Sequence, residues 1–152
     1  MAARHLYASG ETLTAANKNL DPSGAVAAPG QATTNQGSIT TVVDVTSATI
    51  TFTAISGYRY RISGQGLFSS TVSGDNASLT ITDGSNTVLQ TANLIVSTAG
   101  TQTITSSVVV TPSAGSVTYK LRASRVSGTG VLTLTAGSTA PAFVDVEDIG
   151  ST

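Results

Sequence analysis

The chain has 152 residues, of which 39% are hydrophobic and 10% charged, with a net charge of −1 and no cysteine. This length fits one domain with its own core, and the low charge argues against charge-rich disorder. The missing cysteines exclude disulfides and thiolate metal sites. A near-zero net charge gives no electrostatic footprint for nucleic acid, and no apolar stretch reaches the length of a membrane-spanning helix. We therefore expect neither nucleic acid binding nor membrane insertion.

Residues 1–36 lack strand alternation over most of their length. Residues 12–20 favour at most a short helix, with Thr12 or Thr14 as N-cap. The following stretch is rich in turn-forming residues and ends in a polar run, which is typical of a linker. We predict that residues 1–36 form an extended N-terminal arm.

Residues 37–136 alternate between apolar and polar side chains, a pattern typical of half-buried strands with one face covered by hydroxyls. The whole chain has 26 Thr and 20 Ser. The positions expected to face a core are Ala48, Ile50, Phe52, Ala54, Tyr58, Tyr60, Ile62, Ala77, Leu79, Ile81, Val117, Tyr119, Leu121, Ala123, Leu132, Leu134 and Ala136. The three tyrosines are in phase with these apolar residues, so we interpret them as core aromatics.

Glycine-containing segments punctuate this pattern. Asp83-Gly84-Ser85-Asn86 predicts a turn that returns the chain into a partner strand at residues 87–90. Gly64 and Gly66 lack the third glycine and the helix of a dinucleotide loop, so we expect a bulge or bend in a long strand.

Seven to nine short strands with regular turns predict an all-β fold, an antiparallel β-sandwich of jelly-roll type. The sandwich is assigned to residues 37–136. Residues 137–152 are expected to form a C-terminal strand at Phe143–Val146 followed by a small acidic tail in solvent.

The chain offers little catalytic chemistry. His5 is the only imidazole, and it lies in the predicted arm, without a rigid partner for a nucleophilic triad. Asp75 and Asp83 each adjoin a glycine and suit turns, and the second lacks the closing glutamate of a calcium loop. We expect no catalytic residue, no metal and no cofactor.

Surface charges are sparse and paired along strands. Arg59 and Arg61 alternate with core residues on one strand, as do Lys120 and Arg122 on another. Each pair either solubilises a sheet or contacts a neighbouring subunit or an acidic sugar. With Glu147 and Asp148 they are the candidate surface contacts.

Two terminal motifs resemble known proteins. The stretch Tyr7-Ala8-Ser9-Gly10-Glu11-Thr12-Leu13-Thr14-Ala15-Ala16-Asn17-Lys18-Asn19 resembles the G-(D/E)-x-L-T-A-A-x-x-N opening of minor tail and fibre proteins of tailed bacteriophages. The stretch Pro141-Ala142-Phe143-Val144-Asp145-Val146-Glu147-Asp148-Ile149-Gly150 resembles the P-x-x-x-V-E-D-I-G ending of small virion proteins of phages that infect actinobacteria, with one more residue between the proline and the valine. Lys18 departs from the opening motif, where an apolar residue is common.

This resemblance implies a non-enzymatic structural protein located in the virion, a minor tail or fibre protein or a capsid decoration protein. It also implies a homotrimer that contacts other virion proteins. The arm would attach the sandwich to the particle, and the resemblance points to the opening motif for the contacts, at Leu13, Thr14, Ala15, Ala16 and Asn19.

Two other functions remain open. A carbohydrate-binding module, acting as a receptor binder on the virion and contacting a host cell-surface glycan, would need an exposed aromatic platform. A glycan or peptide hydrolase would need two carboxylates in one cleft, with Asp75 and Asp83 as the most plausible acids.

Overall fold

A computed structural model describes residues 24–98 and 100–151. The predicted helix at residues 12–20, His5 and the five proposed attachment residues lie outside the described residues. Within the described part every regular element is a β-strand, and none of it forms a helix long and apolar enough to cross a membrane.

The described residues form eleven strands, numbered in chain order. Their bounds are β1 Gly24–Ala25, β2 Gly30–Ala32, β3 Gln36–Ile39, β4 Val43–Ala54, β5 Tyr58–Ser70, β6 Asp75–Asp83, β7 Val88–Val96, β8 Gln102–Val110, β9 Gly115–Ser127, β10 Leu132–Thr135 and β11 Ala142–Ser151.

The strands form two antiparallel sheets. In the first, β5 pairs with β8 along one side and with β11 and then β10 along the other; β1 and β2 pair with β11, and β3 pairs with β10. The second sheet has the order β4-β9-β6-β7. The principal orders β2-β11-β5-β8 and β4-β9-β6-β7 are those of a jelly roll, because the chain repeatedly crosses from one sheet to the other. The predicted antiparallel sandwich is confirmed.

The core lies between the two sheets and has the predicted phase. Ile50, Phe52, Tyr60 and Leu121 are buried, whereas the threonines between them on β4 are exposed. The rings of Phe52 and Tyr60 are 4.8 Å apart and tilted by 54°, within the range of favourable aromatic pairs. The tyrosine side chains are therefore core residues, as expected.

The segment preceding residue 37 is not all arm. Gly24–Ala25 pairs with Glu147 and Asp148, and Gly30–Ala32 pairs with residues 142–144. Ala32 is buried, and a Cβ added at Gly30 would overlap the carbonyl oxygen of Thr49. The expected boundary at residue 37 is corrected, because small residues let this segment pack closely against β4 without an alternation signal.

The C-terminal segment is also part of the sheet. Strand β11 runs through residues 142–151 between β5 on one side and β1 and β2 on the other. Val144 and Val146 are buried, and so is Asp148. The expectation of a solvated acidic tail after residue 146 is therefore wrong: these residues complete a ladder of main-chain hydrogen bonds.

Gly64 and Gly66 do not form a bulge. Strand β5 keeps continuous register with β8 through both positions. A Cβ at Gly64 would lie 2.5 Å from Cδ2 of Leu121, and one at Gly66 would lie 3.1 Å from Cδ1 of Leu134. The glycines make room for leucine side chains in the core, so their role is packing rather than bending.

Candidate functional site

Three adjacent strands of the first sheet place polar side chains in rows across its outer face. Because β8, β5 and β11 pair in register, Thr105, Gln65 and Phe143 form one row. The next row is Ser107, Ser63 and Asp145, and the third is Val109, Arg61 and Glu147. Paired strands lie about 4.8 Å apart, so each row spans roughly 10 Å.

A shallow depression of about 350 Å³ lies over the first two rows. Hydroxyl groups, one amide, one carboxylate and one aromatic ring line it, contributed by Ser63, Gln65, Thr105, Ser107, Phe143 and Asp145. The Ser63 and Ser107 hydroxyls are 3.4 Å apart. Phe143 is half-buried, so part of its ring is exposed beside these polar groups. The combination can bind a small polyhydroxylated ligand, with hydrogen bonds to hydroxyls and a ring face for apolar contact.

Asp145 is the titratable group of this depression. Burial raises its pKa above the usual value, Ser63 opposes that change through hydrogen bonding, and the nearby Glu147 carboxylate raises it further. Asp145 and Glu147 lie two residues apart on the same face of β11, but Glu147 is engaged elsewhere. Its Oε2 accepts a hydrogen bond from Nη1 of Arg61 at 2.9 Å, with both side chains 49% exposed.

Arg59 and Arg61 have different surroundings. The guanidinium of Arg61 is neutralised across the strands by Glu147. Arg59 is half-buried, and its Nε is buried with no hydrogen-bond partner among the described residues. Neither residue lines the depression, so the structure does not bring them together with Asp145 in one site.

Lys120 and Arg122 share one carboxylate on the second sheet. Nζ of Lys120 is 2.7 Å from Oδ2 of Asp44, and Nε of Arg122 is 2.7 Å from Oδ1 of the same residue. The Lys120 hydrogen bond is the main cause that lowers the pKa of Asp44. Their side chains are only 15% and 19% exposed, so most of each cation is covered within the sheet.

Asp148 was a predicted surface contact, and this prediction is wrong. The residue is 5% exposed and faces the core side of β11. Its Oδ1 accepts the amide hydrogen of Gly150 at 2.8 Å. A carboxylate held in this way stabilises the local backbone and is not available to a partner.

The two acids considered for hydrolysis lie at opposite ends of β6. Eight strand steps of about 3.3 Å separate them by roughly 26 Å, too far for a carboxylate pair. Asp83 accepts the amide hydrogens of Ser85 and Thr87 at 2.9 and 2.8 Å, which confirms the predicted turn. These hydrogen bonds lower the pKa of Asp83, and the bond from the Thr87 amide is the largest cause.

Asp75 organises the loop after β9. It is 1% exposed and accepts hydrogen bonds from the Ser70 hydroxyl at 2.5 Å and from the amides of Thr129 and Gly130 at 3.0 and 3.3 Å. The Ser70 hydrogen bond is the main cause that lowers the pKa of Asp75. Arg125 donates a hydrogen bond to the Gly130 carbonyl oxygen of the same loop. This buried carboxylate is a structural group.

Several hydroxyl groups of the described strands are satisfied by one another, whereas the buried hydroxyls of Thr82 and Ser106 have no hydrogen-bond partner there. Hydroxyl pairs bridge neighbouring strands, with Thr51 and Thr118 2.8 Å apart and Ser78 and Ser124 also 2.8 Å apart. Every acidic residue in the described part interacts with a donor of the fold, and no cluster there could hold a metal ion.

Sequence reasoning did not find the depression. The sequence predicts Phe143 and Asp145 only as part of a last strand. It predicts no binding role for Ser63, Gln65, Thr105 or Ser107. Their convergence depends on the pairing of β5 with both β8 and β11, and no local pattern encodes that pairing. Alternation does place Phe143 and Asp145 on the same face of a strand, and this was the signal available.

Comparison with known proteins gives similarity of fold alone. No family model and no curated protein matches the sequence. Solved structures with similar sandwiches include Eiger TNF from S. frugiperda, with 9% identity, a TM-score of 0.42 and coverage of 76% of this chain and 94% of that one. A chain of the T13 particle of the virus IBDV has 17% identity and a TM-score of 0.44, over 82% of this chain and 35% of that one. The CBM6 carbohydrate-binding module of Cellvibrio mixtus lichenase 5A has 19% identity and a TM-score of 0.36, over 81% and 97%.

These neighbours thus include a TNF, viral capsid proteins and carbohydrate-binding modules, all built as β-sandwiches. The chain spans about a third of the length of the IBDV capsid protein it resembles. What each neighbour binds or assembles with is a property of that protein, so the function of this chain is argued from its own residues.

Proposed function

We propose that this chain is a non-enzymatic structural protein of a tailed-bacteriophage virion, a minor tail or fibre component or a capsid-surface decoration component. The N-terminal segment attaches the protein to the particle, and the β-sandwich is displayed outward. The protein associates with itself, as a trimer if it follows the proteins that its terminal motifs resemble.

One observation carries the proposal: the carboxylates of the described strands are engaged by contacts within the fold. The carboxylates of Asp44, Asp75 and Asp83 each hold a cation or several amide groups. A protein whose carboxylates are held by its own donors has few acids left for catalysis, and the cross-strand pairs between some of its hydroxyls suit a durable surface. The two terminal motifs supply the more specific expectation of a phage particle.

Attachment is tested by deletion of residues 1–23, which stops before β1 and leaves every described strand in the chain. The truncated protein is expected to keep its fold, measured by circular dichroism and thermal unfolding, but to be missing from purified particles. Incorporation at the level of the full chain would place attachment in the sandwich instead. Loss of folding would show that residues 1–23 belong to the core.

Point variants refine this test. Leu13→Asp places a charge at a proposed attachment position and is expected to abolish incorporation. Lys18→Asp alters the same segment at the position that departs from the motif, so it serves as the control and is expected to be incorporated. Equal loss in both variants would show a general effect of charge, not a specific contact at Leu13.

The position on the particle distinguishes the two structural roles. Antibody labelling that gives a few copies at the tail indicates a tail or fibre component. Labelling that covers the head indicates a decoration protein. The opening motif favours the tail, because it is more often a feature of tail proteins.

A second candidate function is glycan recognition by the same virion component, favoured by the depression beside Phe143 and Asp145. A sugar ring stacked on the exposed part of Phe143 would present hydroxyls to Ser63, Gln65 and Asp145. Glycan-array binding by the full chain that is lost in Phe143→Ala but retained in Thr51→Ala, a control on the other sheet, supports this function. No binding to any glycan, or equal binding by both variants, would overturn it.

A further inference from the structure

One side of the sandwich is bounded by β7 in one sheet and β8 in the other. We call this side, residues 88–96 and 102–110, the β7/β8 flank. Within the described residues β7 pairs only with β6, and β8 pairs only with β5. Each strand therefore has one long edge whose alternate N–H and C=O groups have no ladder partner in the described part of the chain.

This flank lacks most of the features by which natural sheets protect their edges. Protected edges are short, bulged, charged or interrupted by proline. Both strands have nine residues, and neither contains a proline. Strand β8 keeps continuous register with β5 from Gln102 to Val110, and β7 keeps it with β6 from Gln90 to Val96, after one register shift at its start. No charged residue occurs between Asp83 and Lys120, the longest uncharged stretch of the sequence. Long, flat, uncharged edges readily pair with another chain.

Exposed apolar side chains concentrate on the same two strands. Four large hydrophobic residues are exposed within the described strands, and three of them are Val88 (60%) and Ile95 (58%) on β7 and Val109 (50%) on β8. The fourth is Val126 on β9. Apolar groups next to unpaired strand edges favour contact with a further protein surface.

We propose that the β7/β8 flank is a subunit interface and that a second copy of this chain occupies it. The flank can be covered without cost only by a surface that also lacks charge, because an unpaired charge buried against it would lose its hydration. Ordinary protein surfaces do not meet this condition, since about a quarter of all residues in a typical domain are charged. This chain has 10%.

A second copy also matches the flank in shape. The two edges belong to two layers packed about 10 Å apart, so a partner that extends or covers both needs sheets with the same spacing. Another copy has this spacing, whereas a single peptide strand could extend only one layer. This inference gives a surface to the self-association included in the proposed function, and it holds whether or not the protein belongs to a virion.

The test is the mass of the full chain in solution, measured by light scattering after size-exclusion chromatography at micromolar concentration. The wild type is expected at a multiple of 15.2 kDa, the mass of one chain. The double variant Ile95→Lys/Val109→Lys charges the flank at exposed positions and is expected at 15.2 kDa, with an unchanged circular dichroism spectrum. The control Val72→Lys/Val126→Lys adds the same charge at exposed valines outside the flank and is expected to keep the wild-type mass.

A monomeric wild type would overturn the proposal, and so would a flank variant that keeps its oligomeric mass. Dissociation of the control to the same extent would place the interface elsewhere or show a general effect of charge. Particle incorporation is measured separately, so failure of the virion assignment is distinguishable from failure of this interface.

Hydrogen exchange of the wild type gives a second test that needs no variant. In the oligomer the edge amides of β8 are expected to exchange more slowly than those of the exposed edge strand β3, and dilution to monomer should remove this difference. Fast exchange in the oligomer would overturn the proposal. Slow exchange that persists in a monomer would also overturn it, because the protection would then not come from a second copy.

Discussion

The two sides of the sandwich are both formed by sheet edges, but these edges differ in strand length and in charge. The side opposite the β7/β8 flank is formed by β4 in one sheet and by the short strands β1, β2 and β3 in the other, and we call the part made by β2 and β4 the β2/β4 flank. Strand β2 has only three residues, and β4 is irregular between Asp44 and Thr49, with Ser47 at a φ of 67°. Asp44 adds a charge, and Gly30 lies against the backbone of Thr49.

The difference shows that the jelly roll itself does not require an unprotected edge. The β2/β4 flank is closed by close backbone packing, a bulge and a charge, so it needs no cover. The β7/β8 flank lies on the other side of the fold and carries no charge, and its register irregularity is confined to the start of β7, between Val88 and Gln90. Its sequence is therefore better explained by a partner than by the stability of one isolated sandwich.

The largest loss of stability is expected from Gly30→Ala, a substitution on the β2/β4 flank. The added methyl group would overlap the carbonyl oxygen of Thr49, and backbone does not yield as a flexible side chain does, so we expect a loss of about 3 kcal/mol in unfolding free energy. Urea denaturation measures it. Gly37→Ala is the control, because a Cβ there would meet only the Thr133 hydroxyl at 3.7 Å. An equally stable Gly30→Ala protein would show that the β2/β4 flank is not closed by this contact.

A smaller effect is expected from Asp44→Asn, which removes the carboxylate shared by Lys120 and Arg122. Asp44 is 50% exposed and therefore screened by solvent, so the loss at neutral pH should stay below about 1 kcal/mol and shrink at high salt. The pKa of Asp44 is lower in the folded protein than in the unfolded chain, where it is near 3.9. The carboxylate therefore stabilises the fold above the pKa of the unfolded chain, and this stabilisation is lost as the pH falls through the pKa of the folded protein. The variant should thus differ from wild type at pH 7 but converge with it in acid.

Ser47→Gly tests the irregular part of β4. A non-glycine residue at positive φ is strained, and glycine relieves the strain at some cost in unfolded-chain entropy. We expect a net gain of about 0.5 kcal/mol in denaturant unfolding. A clear loss of stability would show that the serine side chain, and not the bulge, holds this strand.

The smallest effect is expected from Val88→Thr on the open flank. Val88 is 60% exposed, so its replacement should change the unfolding free energy of the monomer by no more than about 0.5 kcal/mol. Thermal unfolding at low protein concentration measures it. A large loss would mean that Val88 packs within one chain, and the contrast between the flanks would then weaken.

The sequence predicted the centre of the sandwich better than its margins. Ile50, Phe52, Tyr60 and Leu121 alternate with polar residues because their strands bury one face only, and this pattern revealed both the fold class and the core. On β6, Ser78 and Thr82 are buried together with the apolar residues. The alternating pattern therefore predicted fewer buried residues on this strand than the structure contains.

The margins gave no such pattern. The short strand β2 packs through Gly30 and Ala32, residues equally typical of a linker, and Asp148 is buried although a charge usually indicates solvent. The depression on the first sheet depends on register between strands far apart in sequence. Such register is a property of the whole fold, and no single segment contains it.

The position of β11 has a consequence for how the protein reaches its native state. Residue 144 pairs with residue 30 on one side and with residue 64 on the other, so the first sheet stays incomplete until both ends of the described chain have met. Closing such long loops is entropically costly, and proteins dominated by distant pairings fold slowly, in milliseconds to seconds. During that interval the folding chain would expose the uncharged strands β7 and β8, which can pair with other chains. Low protein concentration, or rapid assembly with other copies of the chain, would then limit aggregation.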